Sequence, residues 1–422
     1  MDKELYLNYV NILKEELVPA LGCTEPIAIA FAGAKIRDLI GDIPDFIAVK
    51  CSGNIIKNVK GVTVPNSDGL KGIDIAATLG LIGGDYNKNL EVLSTVKKED
   101  IEKTKELVKN GFCKCELIEG SENLHIIIEA EYKNENYSVE IKDAHTNITK
   151  ITKNGNIIFR ADDSYKNKNL ADRESLKIKY IFDFANEVKI EDIEEIINRQ
   201  IDMNTAISKE GIENEYGASI GKTLLKYYGN DIINRAKAMA SAGSDARMGG
   251  CAMPVVTNSG SGNQGITVSI PVIEYAKEMN VNKEKLYRAL VLSNLIAILQ
   301  KKHIGKLSAF CGVVCAATGA ASGIAYLHDA DYKQIIDTIT NSLCTIGGMV
   351  CDGAKSSCAS KIAEAVDCGI FAFNLARDNK VFKAGDGLVK EDIEKTIDSI
   401  GRMAKKGMKS TDVEILNIMI GK

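Results

Sequence analysis

The sequence has no tryptophan, only four histidines and no surplus of charge of either sign. Lys and Arg number 53 against 57 Asp and Glu in 422 residues, a net charge of −4. The missing basic excess argues against a nucleic-acid binder. The start, MDKELYLNYVNILKEEL, lacks the basic-then-apolar order of a signal peptide. The expected location is therefore the cytoplasm, with reduced thiols. The CxxC pairs of a zinc ribbon are absent. One uncharged run, Leu307 to Leu327, has the nominal length of a membrane span. Its Ala, Gly, Ser, Thr and Cys content instead predicts a buried helix of a bundle, with Gly319 and Gly323 allowing close backbone packing. No membrane association is expected.

What is present is a long chain with 45% hydrophobic residues, enough for a large core and two domains. The first 90 residues predict helices at Asp2–Leu17 and Thr24–Ile40 and a short strand at Phe46–Cys51. A helix at Lys97–Asn110 is followed by predicted strands at Cys113–Glu119, Asn123–Lys133, Asn136–Asp143 and Ile148–Lys153, separated by Asn/Gly turn signals. The alternation in LHIIIEAEYKNENYSVEI predicts an antiparallel hairpin with one wet face. From about Glu174 onward the pattern is helical. The expected architecture is an α+β N-terminal domain with antiparallel strands, residues 1–165, followed by an all-α helical domain, residues 166–422.

Eleven cysteines remain to be explained. A secreted disulfide scaffold would be shorter and denser in cysteine, and an odd count leaves at least one thiol unpaired. Core filling, metal ligation and catalysis are the alternatives. Cys113 and Cys115 share a strand face with no partner set and are read as structural. Six cysteines fall between Cys311 and Cys368. Cys311 and Cys315 share a helix face. In CDGAKSSC, Cys351 is expected just outside a helix beginning near Ala354, and Cys358 one turn inside it. Small buried hydrophobes account for these cysteines as well as a metal or iron–sulfur site does.

Cys23 lies in LGCTEPIAIAFAGAK. Thr24 is the expected N-cap, with Glu25 and Pro26 in the first turn. The helix dipole would then lower the Cys23 pKa, making it a candidate thiolate base or nucleophile. The free N–H groups there could hold a carboxylate. The alternative is a buried cysteine beside an ordinary cap. Two Gly-rich stretches, Ser241–Gly250 and Asn258–Gly265, read as loops. The second suits a small polar ligand, and neither carries the Gly-Lys-Ser/Thr of a phosphate-binding loop. His145, in DAHTNI, is a candidate site residue because histidine is scarce.

Taken together, GCTEP, HTNI, GSGNQGI, FCGVVCAATGAASG and CDGAKSSC resemble the L-cysteine desulfidases, relatives of the iron–sulfur L-serine dehydratase α chains. The five motifs occur in the family's order over essentially the whole chain. The resemblance implies a 4Fe–4S enzyme that splits L-cysteine into pyruvate, ammonia and sulfide. It implies Cys351, Cys358 and Cys311 as cluster ligands, with Cys315 as the alternative to Cys311, and one iron left open. It implies Cys23 as proton acceptor. The dehydratases carry a Ser/His-rich motif near the position of GCTEP, which favours cysteine as substrate.

Elimination needs a base for the Cα proton and an acceptor for the leaving thiolate, and an open iron suits the latter. Polar groups must hold the amino acid; Thr24, Asn54, His145, Ser261, Asn263 and Gln264 are the candidates. A homodimer is expected from the small-residue helices and two-domain build. Serine dehydration on the same cluster, pyridoxal-phosphate chemistry at Asn258–Gly265 and a non-enzymatic iron–sulfur sensor are the competing readings.

Overall fold

The computed structural model describes residues 1–120, 124–161, 171–305 and 307–422. In chain order the first part forms α1 (Lys3–Glu16), β1 (Pro19–Leu21), α2 (Thr24–Ile40), β2 (Phe46–Ser52), α3 (Gly53–Val59), α4 (Ile73–Gly83) and α5 (Lys98–Lys109). The strands β3 (Cys113–Ile118), β4 (His125–Tyr132), β5 (Glu135–Lys142), β6 (Ile148–Lys153) and β7 (Asn156–Arg160) follow.

The rest is helical except for β8 (Pro254–Val256). Before it come α6 (Ile178–Glu187), α7 (Ile190–Glu213), α8 (Ile220–Tyr228) and α9 (Ile232–Met248). After it come α10 (Gly262–Glu278), α11 (Lys283–Ile304), α12 (Gly312–Leu327), α13 (Tyr332–Ile346), α14 (Cys358–Arg377), α15 (Ile393–Arg402) and α16 (Lys409–Ile420). The α+β start and helical remainder match the sequence expectation. The boundary expected at residue 165, and Asn123 at the start of one predicted strand, lie outside the described residues.

The main sheet has the order β3-β2-β4-β5-β6-β7. Its pairs are antiparallel except β2–β3, which is parallel. Parallel neighbours need a long crossover, here the run through α3, α4 and α5. Alternation fixes the sheet's two faces. Ile126, Ile128 and Ala130 of β4 join Val139 and Ile141 of β5 in a core covered by Ile27, Phe31 and other residues of α2. The opposite face is wet, with Lys50 paired to Glu129 at 2.8 Å. Helices α2 and α4 approach closely because both carry glycine at the contact: a Cβ on Gly33 or Gly80 would collide with the Ala77 or Ala30 carbonyl of the other helix.

A second core fills the helical part, and α1 joins it through Tyr9, Ile12 and Leu13. Helix α12 is buried along most of its length, as the small-residue run predicted. Gly319 packs on the Ser293 carbonyl of α11, and Gly323 packs between Val272 of α10 and Ala289 of α11. Among the described residues no helix is long and apolar enough to cross a membrane.

Three sequence expectations need correction. Ser241–Met248 is the last part of α9 rather than a loop. The Gly-rich stretch at 258–265 is a turn only as far as Ser261, after which α10 begins. Both helices are buried nearly all round here, so their sequence carries no polar face and no helical period. Helix α14 begins at Cys358, with Ala354–Ser357 in turns, so Cys358 is its first residue rather than one turn inside.

Candidate active site

A two-stranded ribbon brings the distant motifs together. β1 pairs antiparallel with β8, Leu21 opposite Pro254 and Pro19 opposite Val256. The chain leaving β1 enters α2 at Cys23, and the chain leaving β8 turns through Asn258–Ser261 into α10. Ser259 and Gly260 both adopt positive φ in that turn, at 51° and 76°. Thr24 Oγ1 donates to the Gly260 carbonyl at 3.2 Å. This contact ties the starts of α2 and α10 together.

Cys23 itself is the N-cap of α2, with extended backbone and no capping hydrogen bond from its side chain. Thr24, expected there, is one residue inside the helix. Its hydroxyl bridges to Gly260 and Glu25 instead. Cys23 is 1% exposed, and its Sγ–H donates to Glu25 Oε2 at 3.1 Å. The expected lowering of its pKa does not occur. Burial and the Glu25 carboxylate push the thiol well above its ordinary value, against the weaker pull of Arg247. The helix terminus cannot outweigh desolvation in a site this dry.

Glu25 is the hub that sequence reading missed. It was visible only as an acid in a first turn. Its oxygens accept from Cys23, from Thr24 at 3.1 Å and from Asn58 Nδ2 at 3.3 Å. His145 Nε2 lies 3.9 Å from Oε1. Burial would raise its pKa, but His145, Cys23 and Arg247 together hold it at about 2. His145 reaches the site from the turn between β5 and β6, beside Gly260.

The remaining predicted residues divide. Ser261 caps α10, accepting from the Gln264 N–H at 3.4 Å. Asn263 Oδ1 accepts from Arg247 Nη1 at 3.1 Å. Gln264 is 6% exposed and leans on the start of α12; a Cβ on Gly312 would lie 2.6 Å from its amide. Asn54 Nδ2 donates to Asp412 Oδ2 of α16 at 2.8 Å.

Cys311 is the N-cap of α12. A short antiparallel bridge, Phe310 opposite Val350, aligns it with Cys351. The Cys311 N–H donates to the Met349 carbonyl at 2.8 Å and the Cys351 N–H to the Ala309 carbonyl at 2.6 Å. The two thiols titrate as a pair: Cys311 is pushed up, while Cys351 is pulled down by the Cys311 thiol, with help from Lys57 and Lys301. Cys358 opens α14 nearby, with its thiol 3.7 Å from the Gly353 carbonyl and raised by burial. Cys315 is fully buried one turn along α12, pushed up to about 12 by burial. Lys57 (on α3) and Lys301 (on α11) are both almost wholly buried near these thiols; neither stands out in the sequence.

The cysteine trio and Cys23 adjoin. Cys23, Val62 and Met248 form a small apolar cluster, and Cys358 and Ala354 pack against it. Among the described residues no three His, Cys, Asp or Glu converge as a single-ion site. A multi-iron cluster makes a different demand, with each thiolate at a separate corner. Three thiols from two segments, flanked by buried lysines that offset thiolate charge, match that demand in donor type.

Comparison with known proteins gives the family. Residues 87–417 match the family model described as serine dehydratase alpha chain. That span includes His145 and all three cysteines of the trio, and begins after Cys23. A UPF0597 protein of Lachnoclostridium phytofermentans is 54% identical over 99% of this chain and 100% of its own length. Another from Desulfitobacterium hafniense is 50% identical over 98% of this chain and 97% of its own. A third, from Finegoldia magna, is 51% identical over 98% of this chain and 100% of its own. The chain belongs to the serine dehydratase alpha chain family.

Proposed function

We propose that this protein is an L-cysteine desulfidase, a carbon–sulfur lyase that converts L-cysteine to pyruvate, ammonia and sulfide without net redox change. Family membership supports a lyase with an iron–sulfur cofactor. The observation that carries the reading is the packing of Cys23 against the segment holding Cys358, itself beside Cys351 and Cys311. A candidate base and three candidate cluster ligands thus occupy one buried site.

Cys311, Cys351 and Cys358 would hold a 4Fe–4S cluster, and Lys57 and Lys301 would balance its thiolates. When bound, the cluster would supply a Lewis-acidic iron matched in softness to a leaving thiolate. The chain's own groups do the rest. Thr24, His145, Ser261, Asn263 and Gln264 surround the amino acid, and Asn54 ties α3 to α16 through Asp412. Burial excludes water, which strengthens every charge interaction.

Cys23, as a thiolate whose own proton has been released to solvent, takes the Cα proton and becomes the thiol. Glu25 keeps it protonated until a substrate ammonium approaches that carboxylate. The ammonium offsets the negative charge, and Arg247 already pulls in the same direction. A positioned base contributes roughly 10²–10⁴-fold. The aminoacrylate that leaves the site hydrolyses in water. The working unit is inferred to be a cytoplasmic homodimer of two-domain chains.

L-serine dehydration at the same site is the second reading, favoured by the name of the matched family. The test is iron and acid-labile sulfide analysis of anaerobically purified protein, with sulfide release measured from L-cysteine. Iron-bearing protein with a higher kcat/KM for L-cysteine than for L-serine is expected, and Cys23→Ala should keep the iron while losing at least about 100-fold in rate. An iron-free but fully active protein rejects the cluster. A ratio favouring serine selects the second reading.

A further inference from the structure

Arg247 is a buried charge that no ion pair accounts for. It lies on α9, two residues from Asp245, and is 2% exposed. Nη1 donates to the neutral Asn263 oxygen at 3.1 Å, and Nε is buried without a hydrogen-bond partner. Among the described residues no carboxylate forms an ion pair with it. Glu25 feels its charge, yet the Glu25 oxygens are already engaged by Cys23, Thr24 and Asn58, with His145 beside them. A buried guanidinium normally has an anionic partner, because desolvating it alone is costly.

Two more unsatisfied buried atoms surround the same turn: His145 Nε2 and Gln264 Oε1. Gly262 leaves room for the guanidinium beside the first residue of α10; any Cβ there would strike Nε. The helix start, the unsatisfied polar atoms and the unpaired charge thus lie together at the start of α10, and Cys23 feels the same guanidinium.

We propose that Arg247 is the anchor for the α-carboxylate of the substrate. The planar fork of an arginine matches a carboxylate through two parallel N–H bonds. It would fix the amino acid with Cα toward Cys23 and explain why a charge is kept in this core. The proposal rests on reading the site as one for an α-amino acid.

The test uses L-alanine, which has no leaving group, and L-alaninamide, which has the ammonium but no carboxylate. Calorimetry on the anaerobic full-length protein should show L-alanine binding much more tightly than L-alaninamide. Arg247→Met should weaken L-alanine by at least about 30-fold, as truncating one partner of a buried charge pair does. Arg247→Lys, which keeps the charge but loses the fork, should fall between. The thermal midpoint of ligand-free Arg247→Met should hold or rise, since an apolar side chain replaces an unpaired buried charge.

Equal binding of the two probes by wild type, no binding of either, or unchanged L-alanine affinity in both variants overturns the proposal. So does a collapse of the ligand-free fold in Arg247→Met with L-alanine affinity kept in Arg247→Lys. Failure of the function reading looks different: L-alanine binds through Arg247, but iron-loaded protein releases no sulfide from L-cysteine. Conversely, sulfide release with an unchanged KM in Arg247→Met removes the anchor alone.

Discussion

At the residue scale, the central finding is that Cys23 does not act alone. Its thiol points at a carboxylate that is itself buried, and the pair is surrounded by Thr24, Asn58, His145 and Arg247. The helix-terminus argument from sequence had the wrong sign for the titration of Cys23, because burial was not visible. Glu25 carries a testable pH signature. Its pKa falls from an ordinary 4.5 to about 2 in the fold. Between those values the unfolded chain binds a proton that the folded chain does not. The stability Glu25 contributes is therefore complete above pH about 4.5 and is lost as pH falls toward 2. Urea unfolding of wild type and Glu25→Gln across this range should show the wild-type advantage shrinking with acid. A constant difference would mean that the carboxylate is not held charged by its neighbours.

At the element scale, the site is made where four helices begin. Cys23 caps α2, Ser261 caps α10, Cys311 caps α12, and Cys358 is the first residue of α14. Four of the five motifs that stood out in the sequence are these starts, and the fifth, HTNI, is the turn between β5 and β6, which is why short strings of residues carried so much information. The loop before α14 depends on Gly353. Its φ is +94°, and a Cβ would collide with the Lys57 carbonyl at the end of α3. Gly353→Ala should therefore push the Cys351–Cys358 segment off α3. The backbone conformation alone costs about 1–3 kcal/mol. Reduced iron per chain together with a lower thermal midpoint is the expected result. Full iron content would show that the segment reaches its place without this contact. The Gly-rich stretches at 241–250 and 258–265 were legible as special but not as helices, since a helix buried on all sides shows no polar face.

At the scale of the whole molecule, the last helix closes onto α3, far back along the chain. Asp412 of α16 accepts from Asn54 and pairs with Lys57 at 2.5 Å, while Lys60 donates to the Met419 carbonyl. Lys57 is 1% exposed, and its ammonium also donates to the Cys351 carbonyl at 3.4 Å. The C-terminus thereby supports a lysine that touches the candidate cluster segment. Removing Asp412 leaves that lysine buried without its carboxylate. Asp412→Ala should lower the unfolding free energy by about 3 kcal/mol, read as a lower urea midpoint at unchanged slope. An unaltered midpoint would place Lys57 in solvent rather than in this pair. Nothing in the sequence linked residue 57 to residue 412, because neither lies in a motif.

The sequence by itself determined the order of the halves, the wet and dry faces of the central hairpin and the buried small-residue helix. Those follow from local periodicity and residue size, which act over a few neighbours. It also singled out Cys23, His145, Cys311, Cys351 and Cys358, through motifs recognised by resemblance. The tertiary structure alone decided what surrounds them. Glu25, Asn58, Lys57, Lys301 and Arg247 gain their roles from burial and from partners far along the chain. Desolvation and charge pairing depend on the packed environment, and no spacing in the sequence encodes it.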